Sequence, residues 1–159
     1  MIRFTKGNLL TANAEALVNT VNTVGVMGKG IALQFKEEFP ENFAIYADAC
    51  KSGELVPGKL LITNEKNRAG AEKTIINFPT KLNWRNPSKY EYIRDGLVEL
   101  VKAISERKIT SLAIPPLGCG NGGLKWEIVK GMIEEALKDV DADIYIYEPN
   151  TEIKSILQS

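Results

Sequence analysis

Two glycine-rich segments, at residues 25–30 and 117–123, are the parts of the sequence best suited to hold an anionic ligand. Each follows an apolar, strand-like run and precedes a helical pattern. Glycine lets the backbone approach a ligand, so that successive N–H groups can converge on phosphate oxygens, and a following helix adds its positive end. Neither segment matches the P-loop or the dinucleotide fingerprint, which argues against an NTPase or a dehydrogenase. The pair predicts a clamp for a diphosphate, the alternative being two tight strand-to-helix turns.

Two asparagines, Asn19 and Asn22, end a buried strand-like run just before the first glycine segment. An amide donates and accepts at once, so it can orient a sugar hydroxyl. Either side chain could instead cap a turn through its own backbone. We expect Asn22, which lies next to the glycines, to bind the ligand.

Lys81, Trp84 and Arg85 follow the end of a predicted central strand, where ligands of open α/β sheets collect. A lysine becomes a nucleophile when burial or nearby cations lower its pKa, whereas a bound anion keeps it charged. Trp84 and Arg85 could stack on a nucleic-acid base and neutralise its phosphate. The alternatives are a solvated surface position for Lys81 and a core position for Trp84.

Two further side chains lie at the same predicted edge. Cys119 is inside the second glycine segment, and because the sequence contains no histidine to serve as its base, we interpret it mainly as a small loop residue. Tyr147 ends the last predicted strand and could stack on a purine or pack in the core.

Strand-like and helical patterns alternate along the chain, which predicts a three-layer α/β domain. The predicted strands are residues 2–5, 16–19, 59–63, 74–78, 111–114 and 143–147, and the predicted helices are residues 30–38, 41–52, 89–107 and 125–139. On the last helix the apolar stripe is assigned to Ile128, Met132, Ile133, Ala136 and Leu137. Residues 151–159 form either a short docking helix or a frayed tail.

Composition limits the chemistry. The 159 residues, 44% of them hydrophobic, predict one globular domain, residues 1–159. Equal numbers of basic and acidic residues, 20 of each, give no general attraction to polyanions, so nucleic-acid binding would need a local site. Without histidine and with only two cysteines, a transition-metal site, a Ser-His triad and a disulfide scaffold are all disfavoured. We expect a cytoplasmic protein, since the sequence has no signal peptide or membrane span.

Taken together, these motifs resemble the macrodomain family, the ADP-ribose-binding α/β/α module. The resemblance rests on KGNLL at 6–10, ALVNTVNTVGVMGKGIALQFK at 16–36, NFPTKLNWR at 77–85, PPLGCGNGGLKW at 115–126 and YIYEP at 145–149. Within the family, the motifs look most like those of the DNA ADP-ribosyl glycohydrolase antitoxins of DarT–DarG toxin–antitoxin systems.

The resemblance implies a mixed sheet flanked by helices, with ADP-ribose in a cleft at one sheet edge. It implies catalysis by Lys81 together with Asn22, and no metal or cofactor. Trp84 and Arg85, on the residue chemistry given above, are the candidates for contact with DNA. The implied ADP-ribose-binding residues are Asn8, Leu9, Asn22, Val26, Met27, Gly28, Lys29, Gly30, Leu117, Gly118, Cys119, Gly120, Asn121, Gly122, Gly123 and Tyr147.

The implied reaction is removal of ADP-ribose from thymine in single-stranded DNA, by a monomer whose partner is a cognate DNA ADP-ribosyltransferase toxin. A non-catalytic ADP-ribose-binding module and a hydrolase of protein-linked ADP-ribose are the alternatives. The chain departs from related glycohydrolases at Gly122, where they carry an aspartate, and from many macrodomains at Asn8, where an aspartate binds adenine. Lys81 would therefore act alone, as nucleophile or as a cation stabilising the leaving base, or the substrate's own phosphate would activate water.

Overall fold

Six strands form one mixed sheet in a computed structural model that describes residues 1–149. They are β1 (Ile2–Thr5), β2 (Ala16–Val21), β3 (Leu61–Lys66), β4 (Glu72–Pro79), β5 (Ser111–Ile114) and β6 (Asp143–Tyr147). Their spatial order is β1-β6-β5-β2-β4-β3. All neighbouring pairs are parallel except β3 and β4, which are antiparallel.

Four α-helices cover the two faces of the sheet: α1 (Gly30–Glu38), α2 (Pro40–Ser52), α3 (Tyr90–Glu106) and α4 (Trp126–Leu137). Alternate side chains of a strand point to opposite faces. In β2, Val18 packs in the core beneath α3 and α4, whereas Leu17 packs with Phe35 of α1 on the opposite face. The three-layer α/β/α fold predicted from the sequence is confirmed.

The predicted elements are all present, but some of their limits and faces differ. β3 begins at Leu61, two residues later than predicted, because Lys59 N–H donates to Val56 O in the turn before it. β2 continues to Val21 because it pairs with β4 as far as Pro79. On α4 the stripe was misassigned at one position, since Ile128 is exposed and Val129 is buried. The predicted tail at residues 151–159 lies outside the described residues.

The topology brings the predicted site together. Five strands are parallel, so the segments that follow β1, β2, β4, β5 and β6 all leave the sheet at one edge. These segments include both glycine-rich loops, Lys81 and the residues after Tyr147. Among residues 1–149, no helix is long and apolar enough to cross a membrane.

We expect Gly96→Ala to destabilise the fold by about 1–3 kcal/mol, because the new methyl group would overlap the Phe78 ring where α3 crosses β4. Urea unfolding would measure the loss. Gly131→Ala is the control, since Gly131 lies on α4 and a methyl group there meets nothing within 4 Å apart from the backbone of its own helix. Helix propensity should make this substitution neutral or stabilising. Equal effects of both substitutions would contradict the proposed Gly96–Phe78 packing constraint.

Candidate active site

Asn22 organises the first glycine loop, which runs from the end of β2 to the start of α1. Its Oδ1 accepts from the backbone N–H groups of Val24 (3.1 Å) and Val26 (3.4 Å), and its Nδ2 donates to Val26 O (2.8 Å). Gly25, with a φ of 83°, makes the left-handed turn between them. The side chain therefore holds the loop in shape, and among residues 1–149 only one of the two Nδ2 hydrogens has an acceptor.

Tyr46 of α2 supports Asn22 from below. Its buried hydroxyl lies 2.7 Å from Asn22 Oδ1 and 2.9 Å from Asn22 O, and donates to this residue. Burial raises the pKa of the Tyr46 hydroxyl, which stays protonated and available as a donor. Burial also raises the pKa of the neighbouring Cys50 thiol. Tyr46 was not among the predicted site residues, because nothing in a helical pattern shows which side chain reaches a distant loop.

Asn19 has a structural role, but a different one from the turn cap considered for it from the sequence. It is fully buried, and its Nδ2 lies 3.5 Å from Asn77 Oδ1 and 3.8 Å from the sulfur of Met27. Asn77 in turn exchanges amide hydrogen bonds with Asn42 of α2 at 2.8 and 3.2 Å. These hydrogen bonds between amide side chains link α2 to strands β2 and β4 of the sheet. Met27 is buried within the same region, so its side chain is not available to a ligand.

The second glycine loop closes on itself between β5 and α4. Leu124 N–H donates to Gly118 O at 3.0 Å, and Cys119 N–H donates to Pro116 O at 3.1 Å. Gly118 and Gly123 have φ values of 72° and 79°, which only glycine adopts readily. Cys119 is buried, in agreement with its interpretation as a small loop residue.

Packing explains why position 122 carries no carboxylate. A Cβ on Gly122 would overlap Ser88 Oγ and Gly118 O, and Ser88 N–H donates to Gly122 O at 3.1 Å. An aspartate at this position would require the loop to move. Ser88, which was not among the predicted site residues, thus fills the space that a side chain at 122 would need.

Lys81 reaches from the end of β4 to the second glycine loop. Its Nζ donates to Asn121 O at 3.1 Å and to Trp84 O at 3.4 Å. The same segment is tied to the first glycine loop, since Thr23 donates to Leu82 O through its backbone N–H (3.0 Å) and its hydroxyl (2.8 Å). The lysine amine therefore lies between the two loops predicted to hold a diphosphate.

Three lysine residues lie at the helix starts on the edge that carries Lys81. α1, α3 and α4 begin there, each directing the positive end of its dipole towards the loops. Their N-cap residues are Lys29, Lys89 and Lys125, and none of these side chains makes a capping hydrogen bond within the described part of the chain. Lysine is a poor N-cap because it adds positive charge to the positive end. The arrangement favours an anionic ligand.

Burial lowers the pKa of Lys81, and the positive charge of Lys29 lowers it further. We therefore expect the pKa of Lys81 to lie below its ordinary value and to rise in Lys29→Gln, so that a smaller fraction of the amine is neutral at a given pH. NMR titration of the lysine ε-carbons would measure both pKa values. Lys36→Gln is the control, because Lys36 lies over the Phe43 ring. An unchanged pKa in Lys29→Gln would show that the two amines do not interact.

Tyr147 ends β6 and Asn8 follows β1, two neighbouring strands that lie on the side of the sheet away from β4. Asn8 Oδ1 accepts from Leu10 N–H at 3.1 Å and caps the 3-10 helix Leu9–Thr11. Leu9 is buried in the core, so its side chain is not available to a ligand. Tyr147 packs at the margin of the core beneath α1, and burial raises the pKa of its hydroxyl.

A family model for the Macro domain matches residues 18–133, a span that includes both glycine loops and Lys81. The chain belongs to this family. As a macrodomain, it is 51% identical over 150 residues to a DNA ADP-ribosyl glycohydrolase of Thermus aquaticus, and the match covers 94% of this chain. It covers 41% of that relative, so the chain spans less than half of its length.

Solved macrodomain structures agree with this assignment. The macrodomain of Mycobacterium tuberculosis DarG has a TM-score of 0.90 and 53% identity, with coverage of 94% of this chain and 99% of the other. Thermosipho africanus DarTG in complex with ADP-ribose has a TM-score of 0.88 and 35% identity, and the match covers 94% of this chain and 42% of the other. The family resemblance inferred from the sequence motifs is confirmed.

Proposed function

We propose that this macrodomain is a glycohydrolase that removes ADP-ribose from thymine bases in single-stranded DNA, with Lys81 as its catalytic residue. The observation that carries the proposal is the position of Lys81 Nζ, held by Asn121 O of one glycine loop and influenced by Lys29 of the other. A residue that only supported the fold would not need an amine with a lowered pKa between two anion-binding loops.

The two loops have complementary parts in binding ADP-ribose. Residues 25–30 and 118–123 offer backbone N–H groups, and α1 and α4 offer positive helix ends, to the diphosphate and the distal ribose. Asn22 would use its remaining amide hydrogen on that ribose. The adenine would lie towards Tyr147, and because Asn8 caps a local helix, adenine recognition would depend more on backbone groups.

Hydrolysis adds water across the bond between the anomeric carbon and the base nitrogen, and the base leaves with a proton. Lys81 has two possible roles in this step. As a neutral amine it would attack the anomeric carbon, and water would later release the sugar; as a cation it would stabilise the departing base. The second loop provides no carboxylate at Gly122, so in either case water activation falls to the substrate's own phosphate.

The names of the relatives support a role in a toxin–antitoxin system. The Thermosipho africanus relative is a DNA ADP-ribosyl transferase–DNA ADP-ribosyl glycohydrolase fusion protein, 35% identical over 158 residues. We propose that this chain acts in the cytoplasm as a monomer, reversing the DNA modification made by a cognate ADP-ribosyltransferase toxin.

The direct test is to incubate the protein with a single-stranded oligonucleotide that is ADP-ribosylated on one thymine, and to follow the products by gel shift and mass spectrometry. Release of intact ADP-ribose and unmodified DNA would support the proposal. Tight binding of ADP-ribose without release would instead indicate a binding module, a role that the missing carboxylate at Gly122 would allow. Faster release from an ADP-ribosylated peptide offered at equal concentration would identify a protein-directed hydrolase.

A further inference from the structure

Trp84 is held beside the proposed reaction centre. Its backbone oxygen accepts the hydrogen bond from Lys81 Nζ at 3.4 Å, yet its side chain is 48% exposed. The other tryptophan, Trp126, packs against the core formed by α3 and α4. A large ring left in solvent near a ligand cleft is typical of a binding surface.

Arg85 stacks on this ring. Its guanidinium carbon lies 4.6 Å from the centre of the Trp84 ring, within the range of a cation–π interaction. Asn83 fixes the turn on which both residues lie, because its Oδ1 accepts from Arg85 N–H (3.1 Å) and its backbone oxygen accepts from Asn86 N–H (3.0 Å). The aromatic ring and the guanidinium are therefore arranged before any ligand binds.

We propose that Trp84 and Arg85 form a platform for the DNA strand, on which Trp84 stacks with a base at or next to the ADP-ribosylated position and Arg85 contacts a backbone phosphate. This inference rests on the proposed function and identifies the part of that site that recognises the leaving group. An aromatic ring next to a cation is the arrangement by which single-strand binders hold successive bases without reading their sequence. A carboxylate leaving group on a protein would have no ring to stack.

The charge distribution favours a strand over an isolated nucleotide. The chain has no net charge, whereas Lys29, Lys89 and Lys125 are concentrated at the N-terminal ends of the helices on the same edge as Arg85. A polyanionic strand that binds such a group of lysines releases counterions, and this release adds to its binding free energy.

The test compares two substrates, an ADP-ribosylated single-stranded 20-mer and the ADP-ribosylated thymidine mononucleotide. We expect Trp84→Ala to raise the KM for the 20-mer by about tenfold, the change expected from losing one base–aromatic stack. The KM for the mononucleotide should change less, and the affinity for free ADP-ribose, measured by calorimetry, should stay within about twofold. Trp84→Phe, which keeps an aromatic ring, should bring the KM for the 20-mer most of the way back to the wild-type value.

Leu82→Ala is the matched control, since Leu82 is a comparably exposed apolar side chain of the same segment but has no ring. An equal rise in KM with Leu82→Ala would overturn the stacking role, as would an unchanged KM for the 20-mer in Trp84→Ala. If Trp84→Ala weakened binding of the 20-mer and of free ADP-ribose by the same factor, the stacking role would also be overturned, because Trp84 would then lie in the ADP-ribose site.

Arg85→Gln tests the phosphate contact. Binding to the ADP-ribosylated 20-mer would be measured by fluorescence anisotropy, with Lys81→Ala also present so that the substrate is not turned over. The slope of log affinity against log salt concentration should be smaller in magnitude by about 1 when Arg85→Gln is added to Lys81→Ala. An unchanged slope would overturn the contact. The two hypotheses fail in distinguishable ways. If only the platform is wrong, the wild type still turns over ADP-ribosylated DNA; if the proposed function is wrong, the wild type shows no such turnover.

Discussion

Replacing Lys81 with alanine should reduce turnover of ADP-ribosylated DNA by about 100-fold or more while changing ADP-ribose affinity only a few-fold. The substitution removes an interaction made with the reacting atoms, whereas the backbone groups that would hold the diphosphate remain. Single-turnover kinetics would give the chemical rate, and calorimetry with ADP-ribose would give the affinity.

The control for this prediction is Lys36→Ala, which removes an exposed lysine of α1 that lies over Phe43. It should leave both quantities unchanged. The loss of the hydrogen bonds from Lys81 to Asn121 O and Trp84 O is a structural side effect, and Lys81→Arg, which can retain them, separates it from catalysis. Turnover by Lys81→Ala within a few-fold of the wild type would exclude the catalytic role.

Much of the fold could be predicted because its signals are local. β2 is a short run that is buried on both faces, and the apolar residues that recur every three or four positions along α3 bury the face that their periodicity indicates. The parallel strands then bring their carboxyl ends to one edge, and the glycine loops with them. The misassignment of Ile128 has a physical reason: it lies in the first turn of α4, where the apolar stripe begins one residue later, at Val129.

The roles of the polar side chains could not be predicted in the same way, because their partners are distant in the sequence. The tertiary fold brings Asn22 to Tyr46 of α2, and Ser88 to Gly122. A single amide next to a glycine loop is compatible with binding a sugar and with shaping the loop. The contacts of Asn22 show that it shapes the loop; its contact with the ribose stays a prediction.

Asn22→Ala should lower ADP-ribose affinity by about tenfold or more and also reduce the free energy of unfolding by about 1–3 kcal/mol. The substitution leaves the N–H groups of Val24 and Val26 without their side-chain acceptor, and Val26 O without its donor, so the first glycine loop loses the conformation that presents its N–H groups. Calorimetry and urea unfolding would measure the two effects.

Tyr46→Phe separates loop shaping from direct contact, because it removes the 2.7 Å hydrogen bond to Asn22 from a buried position beneath the loop, where the hydroxyl cannot touch the ligand. If Asn22 acts by shaping the loop, Tyr46→Phe should weaken ADP-ribose binding several-fold, in the same direction as Asn22→Ala. Unchanged binding in Tyr46→Phe together with a large loss in Asn22→Ala would attribute the effect to the amide hydrogen facing the ribose. Unchanged binding in both variants would show that the loop keeps its shape without these contacts.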